Sequence, residues 1–166
     1  MRFHELPTPV YVIDEARLKA NLERLNALER RTGCRVLLAQ KAFSAFALYP
    51  LIGRYISGTA ASGLYEARLG FEEMGKENHV YSPAYTAAEI DALRTLCSHI
   101  IFNSIRQFET FYPRLSGVSA GLRINPQHST QSGAIYDPCA PYSRLGITRA
   151  HFPDALPAGV EGFHMH

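Results

Sequence analysis

Two hydrophobic periods take turns along the 166 residues, and this alternation constrains the fold more than any other feature. The β-branched run PVYVID (9–14) reads as a strand, and Asp14 is placed to cap the segment EARLKANLERLNALERR. There Leu18, Leu22, Leu25 and Leu28 recur at helical spacing, and Gly33 supplies a C-cap. CRVLLAQ follows as a buried strand. The pattern then repeats. SAFALYPLIGRY reads as a helix weakened by Pro50, ISGTAAS as a small-residue strand and turn, and GLYEARLGFEEMG as a helix ended by Gly75. HVYSP, SHIIFN, SAGLRIN and GVEGFHMH (159–166) read as strands; TAAEIDALRTL, capped by Thr86, and SIRQFETFYPRL, capped by Ser104, read as helices. Strands that alternate with helices predict an α/β fold with a parallel sheet and crossover helices.

Composition narrows the partners. Seventeen basic and fifteen acidic residues leave a formal charge of +2, without the basic run that tracks a phosphate backbone, so nucleic acid is not an expected partner. No stretch offers the eighteen or so apolar residues that span a bilayer, and MRFHELPTPV lacks the apolar core of a signal peptide. A cytoplasmic protein is expected. Cys34, Cys97 and Cys139 are odd in number and far apart, which suggests neither a disulfide framework nor a zinc site.

Two α/β architectures compete. A doubly wound dinucleotide-binding sheet calls for G-x-G-x-x-G at its first strand-to-helix turn, and here that turn is VIDEARL, without a glycine. A (β/α)8 TIM-type barrel carries its functional side chains at the C-terminal ends of several strands. Polar residues recur at those ends: Gln40 and Lys41, Thr59 and Ser62, Ser82, Asn103, Arg123 with Asn125, and His164 with His166. The barrel is the expected fold. Residues 126–158 interrupt the alternation with a loop rich in Pro, Gly and Ser, expected to cross the active face.

Lys41 is the sharpest single signal. A lysine that ends a buried strand at a barrel mouth is expected to be partly withdrawn from water, and an amine so held attacks carbonyl carbons to form Schiff bases. With pyridoxal 5'-phosphate (PLP), such a bond couples the substrate to an electron sink. The pair His164 and His166 supports a rival reading, a metal-dependent TIM-barrel hydrolase, because residues i and i+2 of a strand share a face. That chemistry still calls for another histidine and an aspartate at other strand ends, so no metal site is expected.

TPVYVID, followed by a long helix and LLAQKAF, resembles the opening of the fold-type III PLP-dependent enzymes, the alanine racemase-like barrels that include the ornithine, arginine and diaminopimelate decarboxylases. SGTAASGLYEARLG, GLRINPQHS, YDPCAPYSRLGI and GFHMH together resemble the branch that acts on carboxynorspermidine and carboxyspermidine. The resemblance implies a decarboxylase of polyamine biosynthesis that releases norspermidine or spermidine. It implies that Lys41 binds the cofactor covalently and that His166, in a G-x-x-x-H strand, stacks on its ring. Arg123, in LRIN, would support the cofactor site, Arg144, in SRLG, would occupy a basic position beside it, and Ser62 and Glu66 would lie near the ring face. Thr59 matches a position that is aspartate in ornithine decarboxylases, which argues against simple ornithine chemistry.

The same resemblance implies that residues 1–166 are the N-terminal portion of a PLP-binding barrel. The remaining strands, a glycine-rich phosphate loop, an acidic partner of the ring nitrogen and a C-terminal β-domain would follow His166, in a homodimer. A non-enzymatic PLP-binding barrel is the other alternative; such proteins lack the long polar loop at 126–158. No acidic partner for a polycationic substrate stands out among Asp137, Asp154 and Glu161.

Overall fold

The computed structural model describes residues 3–166. Six strands form one sheet: β1 (Leu37–Ala39), β2 (Gly58–Ala61), β3 (Glu77–Tyr81), β4 (His99–Phe102), β5 (Ser119–Arg123) and β6 (Val160–His164). They lie in chain order and every neighbouring pair is parallel. Five helices accompany them: α1 (Glu15–Thr32), α2 (Tyr49–Ile52), α3 (Leu64–Glu73), α4 (Ala87–Leu93) and α5 (Ile105–Phe111). Consecutive parallel strands joined by helices are the construction of a TIM-type barrel.

The helix ends follow from local chemistry. Asp14 accepts from the backbone N–H groups of Ala16 and Arg17, at 3.0 and 3.1 Å, and Gly33 ends α1 in the left-handed region at φ 73°. Thr86 and Glu89 form a reciprocal capping box on α4, and Ser104 accepts from the Gln107 N–H on α5. Pro50 falls in the first turn of α2, where its missing N–H costs nothing, and α2 is a single turn preceded by a 3-10 turn at Phe46–Leu48.

Two expectations change. PVYVID is neither strand nor helix, and Val10, Tyr11, Val12 and Ile13 are all exposed. β-Branched composition favours a strand only where a ladder partner exists, and no described strand pairs with this run. β6 ends at His164, two residues short of the expected run, so His166 lies just beyond the ladder. In α1 the leucine stripe is only partly covered: Leu22 is buried, whereas Leu25 and Leu28 are exposed.

The core lies between the sheet and its helices. Val80, Ile100, Phe102, Ala120 and Leu122 meet Ala67, Ile90, Leu93 and Phe108, and a second cluster joins Leu22, Tyr49, Ile52 and Ile56. Two buried polar side chains on this face, Thr59 and Asn78, are paired locally. Asn78 donates to the carbonyls of Ala67 (2.7 Å) and Leu96 (3.0 Å) and accepts from Thr59 Oγ1 at 2.9 Å. α3 lies so close that a Cβ on Gly70 would stand 2.4 Å from Thr59 Oγ1. Thr59 therefore faces the helix layer, away from the opposite face of the sheet.

Candidate active site

The other face of the sheet is concave, and the ladder arranges its side chains in rows. One row runs Ala39, Ala60, His79, His99, Ser119 across five strands. The next runs Tyr81, Ile101, Gly121, Gly162, and beyond it Arg123 pairs with His164. These rows border a cavity of about 1270 Å³ whose lining includes Lys41, Ser62, Tyr81, Arg123, Arg144, His164 and His166. Six of these seven lie at or just beyond the C-terminal ends of β1, β2, β3, β5 and β6, and Arg144 comes from the long loop.

Arg123 is buried, with its guanidinium 4.5 Å from the centre of the Tyr81 ring. The Tyr81 ring lies 5.1 Å from that of His164, which lies 6.4 Å from His166. Burial holds the His164 imidazole well below its ordinary range, at about 4, and its neighbours Arg123, His166 and Lys41 push the same way. His166 is lowered too, by burial first and then by Lys41 and Arg123. Burial thus favours the neutral form of both imidazoles, which stand beside Arg123 and Lys41. Burial raises the Tyr81 phenol, partly offset by Arg123.

Lys41 departs from expectation in one respect: it is exposed. β1 ends at Ala39 and pairs only with β2, and the chain turns there, with Ala42 N–H donating to the Ala39 carbonyl at 3.0 Å. The buried residue is its neighbour Gln40, whose Oε1 accepts from the Tyr49 hydroxyl at 3.3 Å.

The loop after β5 is tied to the strand ends. Asn103 Oδ1 accepts from the Tyr81 hydroxyl and the Gly146 N–H, each at 2.7 Å, while its Nδ2 donates to the Arg144 carbonyl at 2.9 Å. Asn125 Nδ2 donates to the Leu145 carbonyl at 3.0 Å, and Ile147 exchanges backbone bonds with Arg123 and Asn125. Gly146 sits at φ 82°, and a Cβ there would meet Asn125 N and Ile124 C at 3.0 Å. These contacts carry Arg144 to the cavity.

Glu66 does not line the cavity. Its carboxylate accepts from the Ser62 N–H at 2.7 Å and so fixes the turn that presents Ser62. Sequence reasoning missed Tyr81 and Gly146. Tyr81 shares a face with His79 by period 2, a readable signal, whereas the need for glycine at 146 arises only from the approach of β5. No third histidine, cysteine, aspartate or glutamate joins His164 and His166 as a metal-ligating group among the described residues.

The architecture and site define a class, a TIM-type barrel sheet whose polar side chains gather at the C-terminal ends of its strands. The same fold occurs in diaminopimelate decarboxylase from M. jannaschi, at TM-score 0.71 and 19% identity over 98% of this chain and 43% of that one. Sequence likeness is closer to polyamine-related decarboxylases. The carboxynorspermidine/carboxyspermidine decarboxylases of Campylobacter jejuni and Herminiimonas arsenicoxydans are 39% identical over 100% of this chain and 42% identical over 85% of it, which is 44% and 39% of their own lengths. Carboxyaminopropylagmatine decarboxylase of Synechocystis is 41% identical over 99% of this chain and 43% of its own. A crystal structure of carboxynorspermidine decarboxylase from Campylobacter jejuni, complexed with norspermidine, superposes at TM-score 0.86 with 37% identity, over 97% of this chain and 41% of that one. The chain spans less than half the length of these relatives. No protein-family model matches it.

Proposed function

We propose that residues 1–166 are the N-terminal portion of a PLP-dependent carboxy-lyase that decarboxylates carboxynorspermidine and carboxyspermidine in polyamine biosynthesis. The observation that carries this reading is the meeting of Lys41, Arg123, His164 and His166 at one cavity, in a chain 39% identical to a decarboxylase of those substrates. The rest of the barrel and a C-terminal β-domain would be supplied by further chain, in a cytoplasmic homodimer. No helix among the described residues is long and apolar enough to cross a membrane.

The residues fit PLP, an anionic aromatic aldehyde. Among the described residues neither Lys41 nor Arg123 forms an ion pair, and the buried His164 Nδ1 has no hydrogen-bond partner. The site thus offers uncompensated positive charge and an unused polar atom. Lys41 would hold the cofactor covalently, His166 would pack on its ring, and Arg123, Arg144 and Ser62 would hold its polar groups, with Glu66 acting through Ser62. When bound, the cofactor supplies an electron sink for the carbon that loses CO2. Arg123, fixed by Tyr81 and sheltered from water, orients anionic groups at the strand ends more strongly than an exposed arginine would. Neutral His164 fills the space beside Arg123 without adding to the local positive charge. Asn103 and Asn125 hold the 144–147 segment over the cavity.

The test is CO2 release by the full-length enzyme from a panel of carboxynorspermidine, carboxyspermidine, carboxyaminopropylagmatine, ornithine, arginine and diaminopimelate. Highest kcat/KM on the first two supports the reading. Preference for carboxyaminopropylagmatine moves the substrate to that of the Synechocystis relative, and turnover of the amino acids alone refutes a polyamine substrate.

A further inference from the structure

The base of the concave face carries a second cluster that the decarboxylation reading leaves unused. We propose that Glu77, His79 and His99 form a binding site for one divalent transition-metal ion of the zinc class, separate from the Lys41 site. Glu77 Oε1 lies 2.7 Å from His79 Nε2 and 3.3 Å from His99 Nε2, and the three potential ligand atoms fall within 4.8 Å of one another. A tetrahedral ion with bonds of about 2.0–2.1 Å sets its ligand atoms roughly 3.3 Å apart. The Glu77–His99 spacing already matches this, and the Glu77–His79 contact has to open by a small side-chain rotation.

The sheet register builds this arrangement. His79 and His99 are direct partners on adjacent strands, with ring centres 4.1 Å apart, and Glu77 precedes His79 by two residues on the same face. Their row is otherwise Ala39, Ala60 and Ser119, small residues that leave the imidazoles bordering the cavity. Arg35 donates to Glu77 Oε2, which leaves Oε1 for an ion and fixes the carboxylate plane as an outer partner of a ligand does. Two imidazoles and one carboxylate oxygen suit Zn2+, Co2+ or Ni2+ and fall short of the all-oxygen shell of Mg2+ or Ca2+. Three protein ligands leave a fourth position open to the cavity. One to two strand steps, about 7–13 Å, separate these residues from Tyr81, so the ion would brace the floor of the cavity below the Lys41 site.

Full-length protein, stripped with a chelator and dialysed, is titrated with Co2+ and Zn2+. The proposal expects one Co2+ per chain, with visible d–d bands that Zn2+ displaces, and a thermal midpoint raised by Zn2+. Binding should weaken at least tenfold in E77Q and be lost in the double variant H79A/H99A, while H164A retains it. E77Q keeps the size of the side chain and so guards against a folding defect in the double variant. Absence of stoichiometric metal in the wild type overturns the proposal, leaving a hydrogen-bonded Arg35–Glu77–His79–His99 cluster. Binding that survives H79A/H99A but is lost in H164A overturns it as well, by moving the ion to the His164 and His166 pair.

Discussion

The two faces of one sheet obey different rules. On the convex face Val80, Ile100, Phe102 and Leu122 are at most 1% exposed, and the polar residues among them, Thr59 and Asn78, are closed off by hydrogen bonds to each other and to backbone. On the concave face the intervening residues of the same strands include His79, Tyr81, His99 and Arg123, which border the cavity. A strand's alternation thus assigns stability to one set of positions and chemistry to the other, only one residue apart. A substitution can therefore damage one property and spare the other.

The sharpest break comes from Lys41. In full-length enzyme, Lys41→Ala should lower decarboxylation by roughly 10³–10⁶-fold, the range found on removal of a covalent catalytic group. Its thermal midpoint without cofactor should stay near wild type, because the exposed Lys41 contributes no core packing. Borohydride reduction and peptide mapping should put the cofactor label on Lys41; a label on Lys19 or Lys76 breaks the assignment.

The convex face should answer in the opposite currency. Phe102 is fully buried against Phe108 and Tyr85, edge-on at 5.8 and 5.9 Å, and Phe102→Ala should cost about 3–5 kcal/mol in denaturant unfolding. The fraction that remains folded should still be labelled at Lys41. A cost under about 1 kcal/mol would mean that the helix layer is loosely packed.

Gly146 sits where the loop crosses the strand ends, and it sharpens the comparison. Gly146→Ala forces a Cβ into the left-handed region and against β5, at about 1–3 kcal/mol. The expected signature is a raised KM with a smaller change in kcat, since Arg144 would be displaced while Lys41 is not.

The smallest effect is a pH dependence. His164 titrates near 4 in the folded chain and near 6.5 when unfolded. Between those values the unfolded state binds the extra proton, so the contribution is present above about 6.5 and is lost as pH falls toward 4. Denaturant midpoints of the cofactor-free protein should fall across that window, and His164→Asn should flatten the slope. An unchanged slope in the variant would place the titration elsewhere.

Much of the fold was legible because its signals are local. Asp14, Thr86 and Ser104 cap helices from within a few residues, and all six strands expected after α1 occur in order as β1 to β6. Lys41, Arg123, His164 and His166 were legible as polar residues that interrupt those runs at one end of each strand. Glu77, His79 and His99 were not grouped, because two of them stand at strand starts and their meeting depends on the register of β3 against β4.

PVYVID marks the limit of local reasoning, since its β-branched residues favour a strand and still find no ladder among the described residues. By itself the sequence determined the alternation, the caps and the residue types at the strand ends, each of which is decided by neighbours a few positions away. Tertiary structure alone decided which face Thr59 takes, that Glu66 serves the Ser62 turn, that Gly146 must be glycine, and that two histidines twenty residues apart meet. The physical reason is that hydrogen-bond register and close approach are properties of pairs of segments, and no single segment encodes them.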